Sequence, residues 1–403
     1  MRLVVTAEER LQRTPDGAVW STGAFANGFW RRYLAVFDEV SVAARIATVP
    51  TVAAGMARVD GDGVSVCCLP HYHGPAQFLR RRTAIRRTLR ARVSPADAVL
   101  VRAPSAIGTV LCSVLADRGQ RYGVEVVGDP LDVFAPGAVT HPLRPLFRRW
   151  FVAQLRRQCR RAIGAAYVTE GSLQARYPTG PAAFSTSYSS IELDTGAFAA
   201  RPRTGDPRWA DGSPDTQVIV TVGSLEQLYK GTDTLLGAVA LLIRADRPVR
   251  LVVVGDGRYR PMLESLAERL GVAEAVEFTG SLPPGAPVRR RLDEADLFAL
   301  PSRAEGLPKA VIEAMARGLP CVASTVGGNP ELLAAADLVP PGDPRALADL
   351  LSDVLSDRAR LAAMSARNLA RARDFSIDLL RPRRESFYLA LRDAVARGAS
   401  SPS

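Results

Sequence analysis

The feature that most constrains the fold is a regular alternation of short apolar runs with helical patterns along nearly the whole sequence. The apolar runs are bounded by Gly and Pro, and most are almost continuously hydrophobic. Such runs are typical of parallel strands that are buried on both faces by helices. They lie at 2–6, 39–46, 64–70, 98–102, 124–127, 165–169, 217–223, 250–255, 275–280, 297–301, 320–324 and 338–340, with first-half helices expected at 22–35, 76–92, 105–118, 142–161 and 170–177.

The length of the chain predicts two α/β domains. At 403 residues it exceeds a single ordinary core. The stretch 178–215 is rich in Pro, Gly, Ser and Asp and has little apolar periodicity, so we expect the domains to be connected there. The predicted limits are 1–195 for the first domain, 196–215 for a linker, 216–375 for the second domain and 376–403 for a final helical segment.

Apolar length and cysteine usage exclude several classes of protein. No apolar run approaches the roughly 20 residues of a membrane span, and the first run is too short for a signal peptide, so a cytoplasmic location is expected. The odd number of cysteines shows no paired metal-ligand spacing and indicates small buried side chains. The cysteines are Cys67, Cys68, Cys112, Cys159 and Cys321.

The net charge of +11 suits an anionic partner. Seven arginines lie in 80–92 and seven in 144–161, both predicted to be helical. These could form ordinary solvated faces or contact an anionic membrane surface. The second segment also contains Phe147, Trp150 and Phe151, which suit an interfacial helix or core packing equally well. The pattern favours acidic small substrates or a membrane surface over nucleic acid.

Lysine usage singles out two positions. Of the 52 Lys and Arg residues only Lys230 and Lys309 are lysines, which suggests positions where a compact ammonium is required. Lys230 follows the run 217–223, and loops at the carboxyl ends of parallel strands bind ligands in open α/β sheets. Lys309 follows Gly306, Leu307 and Pro308 at a predicted helix start, where unpaired backbone amides can bind an anion.

Two glutamates flank this helix start. Glu305 and Glu313 are eight positions apart, and carboxylates accept paired hydrogen bonds from sugar hydroxyls. Together with Lys230 and the helix amides they would suit a nucleoside-diphosphate sugar, whose departing diphosphate gains charge. The alternative is that Glu305 caps the helix and Glu313 is solvated.

These residues identify a family resemblance. The segment EGLPKAVIEAMARGLPCVAS, which contains both glutamates, together with TVGSLEQLYKG, VVVGDG and VEFTGSL in that order, resembles the retaining glycosyltransferases of family 4. The resemblance is close over 216–345. It implies the GT-B fold, in which two Rossmann-like α/β domains face a central cleft and the C-terminal helix, here near 376–396, crosses back to the first domain.

The resemblance also implies residue roles. Lys230 would contact the donor diphosphate, Glu313 the ribose and Glu305 the transferred sugar, with Gly280 to Leu282 near the base. Ser224 stands where the family usually has an arginine, so Arg303 or an N-terminal arginine could supply the missing cation. The full donor-binding set is Gly223, Ser224, Lys230, Gly255, Gly280, Ser281, Leu282, Arg303, Glu305, Gly306, Leu307, Pro308, Lys309 and Glu313.

The catalytic residues expected from the same comparison are Lys230, Glu305 and Asp129. Asp129 takes the place where the family often has a histidine near the donor sugar. It could bind the sugar or acceptor, or act only as a turn residue before Pro130.

Competing signals are weaker. Asp60-Gly61-Asp62 matches a metal-binding Asp-x-Asp pattern but also a hairpin turn. The run VVVGDGRYR has Arg260 where a dinucleotide fingerprint requires a third glycine, which disfavours a nicotinamide cofactor. A glycosidase also uses two carboxylates, but here both flank a candidate anion site.

The sequence therefore predicts a metal-independent, retaining hexosyltransferase without a cofactor. Its partners would be a nucleotide-sugar donor and a glycan, lipid-linked or small-molecule acceptor, with a peripheral membrane contact as a further candidate. A nucleotide-sugar epimerase or a non-catalytic nucleotide-sugar-binding protein remains the alternative.

Overall fold

The computed structural model describes residues 1–22, 25–134, 143–204 and 216–399. Contacts between residues divide the chain into two compact units. The first contains described residues within 1–127, 149–188 and from 381 onward, and the second contains those within 128–148 and 189–380.

The first unit is built on a largely parallel sheet. Among the described residues it has nine strands, and the parallel strands lie side by side in the order β5-β3-β1-β6-β7-β8-β9. Strands β2 and β4 extend the end of β1 as an antiparallel ribbon. The bounds are β1 Arg2–Arg13, β2 Val19–Ser21, β3 Glu39–Thr48, β4 Ala57–Arg58, β5 Val64–Pro70, β6 Ala98–Ala103, β7 Gly123–Val126, β8 Gly164–Tyr167 and β9 Phe184–Ser187.

Most helical residues of the first half belong to the same unit, whereas residues 130–133 and 144–148 group with the second. The apolar residues of β6 and β7 are almost wholly buried, as expected for strands packed on both faces. Ser105 caps the third helix by accepting a hydrogen bond from the amide of Gly108 at 2.7 Å. The helices are α1 Asn27–Arg31, α2 Gly74–Arg92, α3 Ala106–Ala116, α4 Pro130–Val133, α5 Arg144–Arg161 and α6 Ser172–Arg176.

The sheet of the second unit is parallel throughout its described strands. Counted from its first strand along the chain, the spatial order is 3-2-1-4-5-6, the order of a Rossmann-like domain. The order reverses between β10 and β13, and ligands bind at such a switch point. The strands are β10 Gln217–Val222, β11 Val249–Val254, β12 Val276–Gly280, β13 Leu297–Leu300, β14 Cys321–Ser324 and β15 Leu338–Val339.

Amphipathic helices complete the second unit. Helix α7 packs its apolar face, including Leu235 and Val239, into a core shared with β10, β11 and β13. Asp343 and Asp357 cap two later helices by accepting backbone hydrogen bonds. The helices are α7 Thr232–Arg244, α8 Arg260–Leu270, α9 Ala286–Asp293, α10 Lys309–Ala316, α11 Asn329–Leu332, α12 Pro344–Ser356 and α13 Arg358–Ala372. The final helix, α14 Ile377–Ala399, begins in this unit and leaves it at Arg381.

Each apolar run predicted to be a strand forms one, and the ends agree within two residues except at β1, which continues seven residues beyond the predicted end to Arg13. Three short strands were not predicted. Strands β2 and β4 are too short to show a period, and β9 corrects the expectation that 178–215 only connects the domains, since Phe184–Ser187 pairs with β8. The helix expected over 22–35 is shorter, with α1 followed by a 3-10 turn at Arg32–Ala35.

The final helix joins the first unit, as predicted. Its residues from Arg381 onward group with that unit, and the Tyr388 hydroxyl donates to Glu125 of β7 at 3.1 Å. The domain limits themselves stay a prediction. Residues 23–24 of the helix predicted over 22–35, residue 142 of the helix predicted over 142–161, residues 205–215 of the predicted linker and residues 400–403 lie outside the described residues.

In the described part of the chain, no helix combines the length and apolarity that a bilayer span requires.

Candidate donor-binding site

The switch point of the second sheet brings together two loops that are distant in sequence. Lys230 ends a 3-10 turn after β10, and Glu305 lies in the loop after β13. Since β10 and β13 are adjacent and parallel, both loops leave the sheet at the same edge. The Lys230 Nζ donates to Glu305 Oε1 at 2.8 Å. The predicted proximity of residues 230 and 305 is therefore present.

Glu305 is held on one oxygen. The hydroxyl of Ser302, which is fully buried, donates to Glu305 Oε1 at 2.7 Å. Oε1 thus receives two hydrogen bonds, and among the described residues none is recorded to Oε2. The Glu305 side chain is 7% exposed. One carboxylate oxygen keeps its hydrogen-bonding capacity for a ligand.

Two glycines permit this close approach of loops. Gly231 has φ of 74°, and a side chain there would place its Cβ 2.0 Å from the carbonyl oxygen of Pro301. Gly327 has φ of 54°, and a Cβ would lie 2.2 Å from the carbonyl oxygen of Glu305. Any larger residue at either position would push the Glu305 loop from its place.

Lys230 is fixed in its charged form. Burial would lower its pKa, but the neighbouring Glu305 carboxylate and the Tyr229 hydroxyl raise the pKa of Lys230 overall. The Nζ lies 5.1 Å from the Tyr229 ring centroid. The stem runs beside Gly223, where an added Cβ would meet Lys230 Cγ at 3.4 Å. The ammonium is a positioned cation.

Helix α10 begins directly after this loop. Pro308 stands at its N-cap position with no side-chain cap, so its first backbone amides have no intrahelical partner. Gly306 and Leu307 are half-buried before it, and Lys309 is exposed in its first turn. The positive end of the helix dipole therefore faces the region next to Lys230 and Glu305.

Glu313 lies one turn after Lys309 on α10. Burial raises the pKa of Glu313 above its ordinary value, against the opposing charges of Lys309 and Arg289. The role of Glu313 as a ligand of the donor ribose stays a prediction.

Arg303, one of the replacement cations proposed from the sequence, is paired within the second unit. Its guanidinium donates to both carboxylate oxygens of Asp233 at 2.7 Å, and also to the carbonyl of Leu228 at 2.9 Å. Asp233, in the first turn of α7, offers a planar bidentate partner, and a contact of Arg303 with the donor stays a prediction. Ser224 is exposed and its hydroxyl accepts from the amide of Glu226.

The residues expected near the base also reach this edge of the sheet. The amide of Gly255, which follows β11, donates to the carbonyl of Gly280 at the end of β12, at 3.0 Å. Ser281 is exposed and Leu282 half-buried just beyond it. The structure thus arranges these loops along the carboxyl ends of neighbouring strands.

Asp129 occupies a cap. Its carboxylate accepts from the amide of Leu131 at 2.8 Å at the start of α4, and the residue is 1% exposed. This contact agrees with the turn interpretation offered by the sequence. The catalytic interpretation of Asp129 stays a prediction.

The Asp60-Gly61-Asp62 segment forms the expected turn. Gly61 and Val64 exchange backbone hydrogen bonds, and Asp60 accepts from the amide of Val19 at 2.8 Å. Across the described residues, no group of three or more His, Cys, Asp or Glu side chains could hold a metal ion.

Sequence reasoning missed two residues that shape the site. Ser302 orients Glu305, and Asp233 anchors Arg303. A serine three positions before the glutamate carries no pattern that separates it from an ordinary loop residue. The acid in the first turn of α7 is equally typical of simple helix stabilisation.

Comparison with known proteins agrees with this geometry. Residues 216–357 match the model of the family described as glycosyl transferases group 1. The chain is 33% identical over 281 residues to a D-inositol 3-phosphate glycosyltransferase of Segniliparus rotundus, covering 66% of this chain and 59% of that protein. It is 24% identical over 385 residues to protein CapJ of Staphylococcus aureus, covering 91% and 93%.

The fold is shared with solved glycosyltransferase structures. Sucrose-phosphate synthase from Thermosynechococcus elongatus superposes with a TM-score of 0.70 at 16% identity, covering 98% of this chain and 100% of that chain. The switch-point geometry, the family model and these relatives lead to one conclusion: residues 216–357 belong to the glycosyl transferases group 1 family, and the chain is a glycosyltransferase with the GT-B fold.

Proposed function

We propose that this glycosyltransferase moves a hexose from a nucleoside-diphosphate sugar to an acceptor hydroxyl with retention of anomeric configuration, as a member of family 4. The observation that carries the proposal is the 2.8 Å contact between Lys230 and Glu305 at the switch point. It combines a fixed cation with a carboxylate whose second oxygen, Oε2, can accept a hydrogen bond from a ligand. A sugar attached to a diphosphate requires both.

The donor would bind by its three parts. The Lys230 ammonium and the open amides at the start of α10 meet the diphosphate. Oε2 of Glu305 accepts from hydroxyls of the transferred sugar, and Glu313 accepts from the ribose. The loops that follow β11 and β12, at Gly255 and at Gly280 to Leu282, contact the base.

Transfer needs charge stabilisation at the leaving group. The bond between the anomeric carbon and the phosphate oxygen breaks while the acceptor oxygen bonds to the same face of that carbon. The acceptor proton passes to an oxygen of the departing diphosphate. Lys230 and the α10 dipole stabilise the negative charge that develops there, the effect that usually supplies most of the catalysis in such sites. These groups perform this without a metal or cofactor.

One relative suggests the nature of the acceptor. A relative is named as a D-inositol 3-phosphate glycosyltransferase, so a hydroxyl of an anionic or lipid-linked polyol suits this chain. A glycan or a secondary metabolite offers the same nucleophile. We place the enzyme in the cytoplasm, with a peripheral contact to the membrane where a lipid-linked acceptor would be presented.

The test is a donor screen followed by product analysis. UDP-, GDP-, ADP- and TDP-sugars are compared by thermal shift, and a donor at 100 times its Kd should stabilise the protein by about 2.7 kcal/mol. The stabilising donor is then incubated with inositol phosphate and oligosaccharide acceptors, and the anomeric configuration of the product is read by NMR. A product of inverted configuration, or donor conversion without acceptor to an epimeric sugar, would refute the proposal.

A further inference from the structure

The first unit contains a cavity of its own. It has a volume of about 530 Å³ and is enclosed by α2, α3 and α5 and the segment before β7. Arg121 and Tyr122 line it and immediately precede Gly123, the first residue of β7. The cavity is therefore at the amino-terminal side of that strand, opposite the carboxyl edge where ligand sites of parallel sheets form.

The charge of this cavity is unbalanced. It is lined by Arg82, Arg121, Arg157 and Arg161, all exposed, and the described residues provide no ion pair for any of the four. The sequences of α2, α3 and α5 contain no Asp or Glu. Asp117, which follows α3, is already bound by Arg86 at 2.5 Å and by Arg90 at 3.7 Å. These four cations give the cavity a net positive charge that an external anion would complement.

A hydrogen bond between two helices fixes part of the cavity wall. Gln158 is 4% exposed, and its side-chain amide donates to the hydroxyl of Thr109 at 3.1 Å, which joins α5 to α3. A second cavity of about 400 Å³ continues the basic surface along α2, where it is lined by Arg82, Thr83, Arg86, Arg87 and Arg90. The cation-rich surface spans both helices.

Exposed apolar side chains border the same cations. Trp150 lines the larger cavity and is 38% exposed. Leu79, one turn before Arg82 on α2, is 64% exposed, and Leu146, one turn before Trp150 on α5, is 61% exposed. Arginines beside exposed tryptophan and leucine side chains can bind lipid phosphates while the apolar groups enter the acyl boundary.

We propose that the α2–α3–α5 groove is a docking site for a bilayer containing acidic phospholipids. Lipid headgroup phosphates bind Arg82, Arg157 and Arg161, while Trp150 and Leu79 enter the interface. A nucleic acid would use the same cations but would leave the exposed leucines in water. The proposal does not rest on the donor-binding residues, so lipid binding and sugar transfer are measured separately.

The experiment is co-sedimentation of the purified protein with vesicles. Vesicles of phosphatidylcholine with phosphatidylglycerol are compared with vesicles of phosphatidylcholine alone. Wild type should bind the acidic vesicles, and binding should weaken as salt is added. The Arg157→Gln/Arg161→Gln variant should lose about 25-fold in partitioning, since each arginine near an acidic surface contributes about fivefold.

A matched control removes the same charge elsewhere. Arg269 and Arg345 are exposed helix residues of the second unit, so Arg269→Gln/Arg345→Gln should bind vesicles as wild type does. Trp150→Ala, which keeps every charge, should also weaken vesicle binding. Thermal unfolding verifies that each variant is folded.

Three outcomes would overturn the proposal. Wild type could fail to bind acidic vesicles, or the two double variants could bind equally well. A single-stranded oligonucleotide that binds more tightly than the vesicles, with loss in Arg157→Gln/Arg161→Gln but not in Trp150→Ala, would identify a polynucleotide surface instead.

Discussion

The two units each contain a buried carboxylate paired with a cation, and the pairs differ in how completely they are satisfied. In the first unit Glu125 of β7 meets Arg102 of β6 at 2.6 Å. In the second, Glu305 meets Lys230 at 2.8 Å. Glu125 uses both of its oxygens within the protein, whereas Glu305 uses one.

Glu125 is surrounded by donors. Tyr188 and Tyr388 donate to Oε1 at 2.8 and 3.1 Å, and Tyr33 donates to Oε2 at 3.1 Å beside Arg102. Burial, followed by the charge of Glu125, raises the pKa of Tyr33 to about 12 and also raises the pKa of Tyr188 and of Tyr388 well above the ordinary tyrosine value. All three therefore remain protonated donors near neutral pH.

The comparison teaches how to separate a structural pair from a binding pair. A saturated buried network fixes one conformation, here the packing of α14 against the first sheet. A pair at the carboxyl end of parallel strands, in which one carboxylate oxygen has no hydrogen-bond partner among the described residues, can accept a hydrogen bond from a ligand. Mutating each pair should therefore affect different properties.

The largest effect is expected for Glu125→Ala. Removing the carboxylate leaves Arg102 buried without its partner, and loss of one member of a buried pair costs about 3–5 kcal/mol. The midpoint of thermal unfolding should fall by about 10 °C. Tyr388→Phe, which removes one donor of the four, should cost only about 1 kcal/mol. Equal effects of the two changes would contradict the view of a network centred on Glu125.

Next in size is Lys230→Ala, which should act on catalysis. Loss of one fixed donor to a developing anion lowers rate by about 10²–10³-fold, so kcat/KM for sugar transfer should fall by this factor. Lys230→Arg keeps the charge and should retain more activity, and Arg269→Ala is a surface control expected to match wild type. Transfer at the wild-type rate by a folded Lys230→Ala protein would contradict the donor site.

The Lys230–Glu305 site of the second unit was easier to predict from the sequence than the Glu125 network of the first unit. Runs of nearly continuous apolar residues predict the strands of both sheets. Lys230 and Glu305 each follow such a run, and the loops after adjacent parallel strands leave the sheet at the same edge, so the sequence also predicts that these two residues lie close together. Nothing in the sequence connects Tyr33, Tyr188 and Tyr388 to Glu125, since they come from segments with no common spacing. The commitment of Arg303 to Asp233 was hidden for the same reason, as partner choice depends on side-chain geometry.

The smallest effect, and the sharpest, concerns Glu313→Gln. Burial raises the pKa of Glu313 in the folded protein above its unfolded value. The free energy of unfolding is therefore not reduced by Glu313 below the unfolded pKa, and it decreases as the pH rises through the folded pKa. The glutamine variant does not undergo this decrease: its unfolding midpoint should exceed that of wild type by a few degrees near neutral pH, and the difference should vanish in acid.

If Glu313 accepts a hydrogen bond from the donor ribose, the same Glu313→Gln variant should show a KM for donor raised about tenfold, as expected for a lost hydrogen bond to a charged group. Thermal scans at several pH values and donor saturation curves measure both, and a variant that is more stable yet binds donor as well as wild type would make Glu313 a buried acid with no part in donor recognition.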